Sequence, residues 1–96
     1  MKTINIKGQF ADDWITRQAG ERLRNLIVET TKSDTSVEID FSGVTVASTS
    51  FFDEGFAKLA ESGWTAEKMK SLVKLKNINK RDREILEDLF RKRERK

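Results

Sequence analysis

The sequence predicts a small two-layer α/β fold, a mainly parallel β-sheet with helices largely on one face. Three observations carry this expectation. Apolar residues alternate with polar ones around Ile39, apolar residues recur at helical spacing on both sides of that stretch, and strand-like and helix-like segments follow each other along the chain. Strands separated by helical crossovers pair in parallel, and the charged alternate positions beside Ile39 leave one sheet face to solvent. A chain of 96 residues has room for a single domain, 1–96, with a basic tail at about 91–96.

Lys2 to Ile6 alternates, with Ile4 and Ile6 on one face, and reads as the first strand. Gly8 to Thr16 breaks the pattern and reads as a loop carrying Asp12 and Asp13. Thr16 is suited to cap a helix whose stripe is Ala19, Leu23, Leu26 and Ile27. Lys32 to Thr35 is a turn. Val37, Ile39 and Phe41 then alternate with Glu38 and Asp40; this is the clearest strand, expected at the centre of the sheet with Ile39 and Phe41 buried.

A second helix is expected from Ser50, because Ser50 and Asp53 have the capping-box spacing and Asp53 and Glu54 then fall in the first turn. Phe52, Phe56, Leu59 and Ala60 form its apolar face, which leaves Phe51 as the candidate surface aromatic. Gly63 suits the left-handed stop after it. Ser71 to Lys76 reads as the third strand, and Asn79, with Asp82 three residues on, caps a last helix with the stripe Ile85, Leu86, Leu89 and Phe90. Beyond Phe90 no apolar stripe continues, so removing Arg91 to Lys96 is expected to change stability slightly. Trp14 and Trp64 lie in connecting segments, as plugs over the core or as exposed anchors.

Composition excludes much chemistry. The chain has no cysteine, hence no disulfide or thiolate metal site, and no histidine, the commonest general base and metal ligand. No apolar run approaches the roughly 18 residues of a membrane span, and the N-terminus lacks the apolar core of a signal peptide, so a cytoplasmic location is expected. No phosphate-binding glycine loop or dinucleotide fingerprint is present, and no cofactor or metal is expected. Asp12 and Asp13 could bind a metal, but adjacent loop aspartates without a partner motif are usually solvated. Asp40, at a strand end, fits a turn-forming role better than that of ligand or base.

The run from Val37 to Val44, Val-Glu-Ile-Asp-Phe-Ser-Gly-Val, and the run from Ser48 to Glu54, Ser-Thr-Ser-Phe-Phe-Asp-Glu, resemble the central strand, loop and helix start of the STAS domain of sulfate transporters and anti-sigma-factor antagonists. They are more similar still to bacterial STAS-like domains of unknown function. The motif resemblance extends from about Val37 to Leu59; outside it, element order supports the likeness. In the antagonist family a partner kinase, related to histidine-kinase ATPases, phosphorylates a serine in an Asp-Ser-Ser-Gly loop at this helix start. That position falls on Thr49. Here Ser48 stands at the aspartate position, Thr49 at the acceptor serine and Phe51 at the glycine.

The resemblance implies a non-enzymatic regulatory protein-interaction module. Its phospho-acceptor would be Thr49 and its partner-binding residues Ser48, Ser50, Phe51, Asp53 and Glu54. The partner would be a histidine-kinase-type ATPase or anti-sigma-like kinase. Against the switch, a Ser/Thr cluster before an amphipathic helix is more often only a cap. The alternative is nucleic-acid binding through the basic last helix: Lys80, Arg81, Arg83, Arg91, Lys92, Arg93, Arg95 and Lys96. Glu84, Glu87, Asp88 and Glu94 interleave with those bases, as on a solvated helix face with i, i+4 pairs.

Overall fold

The computed structural model describes residues 2–10, 16–32, 35–44 and 47–94. Three strands, β1 (Lys2–Asn5), β2 (Val37–Asp40) and β3 (Val73–Lys76), form a parallel sheet in the order β1-β2-β3. The register places Ile4, Ile39 and Leu75 side by side, with Val37 opposite Val73. This apolar face packs against the helices. Thr3, Glu38 and Lys74, with Asn5, Asp40 and Lys76, occupy the opposite, polar face. Ile39 is fully buried and Phe41 is 2% exposed, so β2 is central and in the expected register.

The helices are α1 (Ile6–Phe10), α2 (Arg17–Thr31), α3 (Thr49–Gly55), α4 (Ala66–Leu72) and α5 (Lys80–Glu94), with a 3₁₀ segment at Ala57–Ser62 between α3 and α4. Thr16 caps α2 as expected, its hydroxyl accepting the Ala19 N–H at 3.1 Å. Asn79 caps α5, its Oδ1 accepting the Asp82 N–H at 2.8 Å while its Nδ2 donates to Asp82.

Four expectations need correction. The first strand ends at Asn5, and Ile6–Phe10 is a helical turn rather than strand and loop; the Asn5 side chain accepts the Gly8 N–H and turns the chain there. Asp12, Asp13 and Trp14 lie outside the described residues. The second helix is capped by Ser48, not Ser50: the Ser48 hydroxyl accepts the Phe51 N–H at 3.0 Å. Asp53 and Glu54 therefore sit beyond the first turn, where they make long-range ion pairs instead of a capping box. Ser71 and Leu72 close α4 rather than open β3, because Thr65 caps a helix that runs straight into the strand. Finally, residues 91–94 of the basic tail belong to the last helix. α5 continues through Glu94, where the Arg93 side chain reaches Asp53 and Glu61 and the Glu94 carboxylate accepts the Ala66 N–H at 2.7 Å.

Trp64 is buried, with Lys68 Nζ 4.6 Å from its ring centroid, so it plugs the core. Gly63 takes φ +95° at the end of the 3₁₀ segment, the left-handed stop expected of it. α2 and α3 cross at Gly20, where a β-carbon would stand 2.7 Å from Glu54 Cβ and 2.8 Å from the Phe51 carbonyl oxygen.

Candidate functional site

In a parallel sheet the helix that follows a strand starts at that strand's C-terminal edge, the usual place for binding residues. The start of α3 is built this way from β2. Ser48 is half-buried and committed to the cap, Thr49 is exposed, and Ser50 is half-buried. Phe51 is a correction: it is fully buried, its ring edge-on to Phe10 at 6.0 Å and packed on Phe52 at 6.1 Å. Phe52 continues the cluster to Phe41 and Phe56. Phe51 and Phe52 point about 100° apart on the helix, and both are buried because α3 is covered on more than one side, by the Phe10 ring of α1 against Phe51 and by Phe41 against Phe52. Of the residues from Ser48 to Glu54, only Thr49 is exposed.

Asp53 and Glu54 are both buried, and both are satisfied by cations from other elements. Arg93 forks onto Asp53, with Nε to Oδ1 and Nη2 to Oδ2 both at 2.6 Å, and its remaining nitrogen pairs with Glu61. Arg17 Nη1 lies 3.4 Å from Asp53 and 3.0 Å from Glu54. Glu54 also meets Lys58 at 2.7 Å and Arg24 at 3.2 Å, and Arg24 donates to the Glu54 carbonyl at 2.6 Å. The Arg93 hydrogen bonds hold the Asp53 carboxyl below the usual carboxylate range. Lys58 first, then Arg17 and Arg24, do the same for Glu54. The two acids thus tie α3 to α2 and α5. A negative charge arriving at Thr49 would face carboxylates that are already compensated.

The same pairing divides the basic helix. Arg93 is spent on the core network, while Arg91 and Lys92 are exposed and lean on Asp88 at 3.9 and 3.1 Å. Arg95 and Lys96 lie outside the described residues.

A second cluster at the C-terminal edge escaped the sequence reading. Asp40 Oδ1 accepts from the Ser42 N–H at 2.9 Å, the Ser42 hydroxyl at 2.7 Å and Asn77 Nδ2 at 3.0 Å. Asn77 first, then Ser42, lowers the Asp40 carboxyl to about 2. The bond to its own backbone two residues on makes Asp40 a turn-former. Asn77 completes the cluster from a left-handed backbone, φ +59°; an asparagine directly after a strand was the available signal. Among the described residues no group of three or more acidic side chains is arranged to hold a metal, and no helix is long and apolar enough to cross a membrane.

No curated protein and no solved structure matches the chain. The family model described as STAS-like domain of unknown function (DUF4325) matches residues 19–83, from the first turn of α2 to the first turn of α5. That span covers more than half of the chain and contains both central elements, so the chain belongs to the STAS-like domain family of unknown function.

Proposed function

We propose that this chain is a non-enzymatic, cytoplasmic regulatory module that binds another protein through the start of α3, with Thr49 at the centre of the contact. The observation that carries the reading is the isolation of Thr49. It is exposed on the first turn of a helix whose neighbouring side chains are held by the cap, the phenylalanine cluster and the ion pairs. A change there alters the surface and leaves the packing in place. Membership of a STAS-like family supports a regulatory interaction, and the absence of histidine and cysteine supports a binding role over a catalytic one.

In the finer form of the proposal, Thr49 is phosphorylated and the partner is a histidine-kinase-type ATPase or anti-sigma-like kinase. A phosphothreonine adds about −1.5 to −2 charges at pH 7. With Asp53 and Glu54 neutralised, that charge is set by the modification rather than by its neighbours. α3 has seven residues, so its dipole adds little, and charge at the contact is what switches.

The test captures a partner with the wild-type protein and repeats the capture with Thr49→Glu and Thr49→Ala, folding being checked by circular dichroism. Thr49→Glu is expected to change binding and Thr49→Ala to keep it. Equal binding by all three places the contact elsewhere. Phosphorylation is read separately, by mass spectrometry of protein incubated with the captured kinase and ATP.

A further inference from the structure

A cavity of about 510 Å³ opens between α4, β3 and α5, within the size range of ligand clefts. None of the residues from Ser48 to Glu54 lines it. Its floor is apolar: Phe56, Met69, Leu86 and Phe90. One wall is the edge of the sheet. Among the described residues β3 pairs with β2 alone, and the Lys76 carbonyl turns toward β2, accepting the Phe41 N–H at 2.9 Å. Successive residues of a strand turn their backbone groups to opposite sides, so Leu75 directs its N–H and C=O outward. Lys74 and Leu75 stand on opposite faces of the sheet, yet both line the cavity, which therefore opens across the outer edge of β3.

The rim is mostly basic. Lys70, Lys74, Arg83 and Arg91 face Glu87 and Glu94, and Glu94 already accepts the Ala66 N–H. Among the described residues, Lys70, Lys74 and Arg83 pair with no carboxylate; the Lys74 ammonium donates to the Lys70 carbonyl at 2.8 Å. Lysines on an edge strand commonly guard it against aggregation. Beside an apolar trough the same lysines repel cationic chains and favour acidic ones.

We propose that the outer edge of β3 and this trough bind an extended acidic segment of a partner protein, which adds to the sheet as a fourth strand. Alternate apolar side chains of the segment enter the trough over Met69, Leu86 and Phe90. Its carboxylates meet Lys70, Lys74 and Arg83, and its backbone pairs with Leu75. Backbone pairing supplies affinity and the alternating side chains supply selectivity. This surface is independent of Thr49, so either reading can fail alone.

The probe is a fluorescein-labelled ten-residue peptide alternating glutamate and valine. It is compared with a lysine–valine peptide and with two versions N-methylated at every second residue, one in each register. Binding is followed by fluorescence anisotropy and by amide NMR of the full chain. The acidic peptide is expected to shift the amides of Met69, Lys74 and Arg83 and to slow hydrogen exchange at Leu75. One of the two methylated versions should lose at least tenfold in affinity. Lys74→Glu with Arg83→Glu should also lose at least tenfold, while Thr49→Glu binds as the wild type does. The proposal is overturned if the acidic peptide does not bind, if the lysine–valine peptide binds as well, or if both methylated versions bind unchanged. It is overturned too if decanoate shifts these amides and the peptide does not, which would make the trough a small-ligand cleft.

Discussion

Replacing Arg93 by alanine tests whether the last turn of α5 holds the domain together. The Asp53 side chain is 11% exposed and that of Arg93 is 23% exposed, and two bonds of 2.6 Å join them. Removing one partner of a fully buried pair costs about 3–5 kcal/mol. Two features lower that figure: water reaches part of Arg93, and Arg17 stays 3.4 Å from Asp53 as a second cation. We therefore expect about 1–3 kcal/mol, in line with charged hydrogen bonds. At about 4–8 °C per kcal/mol for a domain of this size, the midpoint of thermal unfolding should fall by roughly 5–20 °C. The control is Arg91→Ala. The Arg91 side chain is 61% exposed and its ion pair to Asp88 is long, so the change should stay within about 0.5 kcal/mol. The pH dependence has a definite sign. Arg93 depresses the Asp53 carboxyl in the folded state, so the stabilisation is full above the unfolded value of about 3.9 and is lost as pH falls through the folded value. The stability gap between wild type and Asp53→Asn should thus be constant near neutrality and narrow below about pH 4. Urea unfolding monitored by circular dichroism measures all three variants. Were Arg93→Ala to cost no more than Arg91→Ala, the network would carry no stability and the reasoning would be wrong.

Two further perturbations address the packing around α3. Gly20→Ala would ordinarily favour a helix by about 1 kcal/mol, but here the new methyl group meets the Phe51 carbonyl oxygen at 2.8 Å. A net loss of about 1–3 kcal/mol in urea unfolding is expected, and a gain would contradict the close crossing of α2 and α3. Ser48→Ala should cost about 0.5–2 kcal/mol and Ser50→Ala much less, because only the Ser48 hydroxyl caps α3; thermal melts giving the reverse order would return the helix start to Ser50.

Deleting Arg91 to Lys96, expected from the sequence to matter little, removes Arg93 and Glu94 together and so belongs with the damaging changes. The reason shows what kind of information a sequence carries. The hydropathy pattern of β2 and the caps at Thr16 and Asn79 depend on residues within about four positions of one another, so alternation and cap spacing reveal them. The parallel order follows from the lengths of the connections between strands. The family likeness also sits on one continuous stretch. α1 is too short to show a period, and α4 runs into β3 without a turn residue, which hides the change from helical to alternating spacing.

The site was decided in three dimensions. Whether Phe51 faces solvent depends on what packs beside α3, and there α1 brings the Phe10 ring. Whether Asp53 is an open acid or a structural one depends on Arg93, forty positions away in the chain. Side-chain periodicity fixes which face of an element is apolar, because that is a property of local backbone geometry. Which ion finds which partner is settled only when the packed core brings α2, α3 and α5 together and excludes enough water for the pairing to matter.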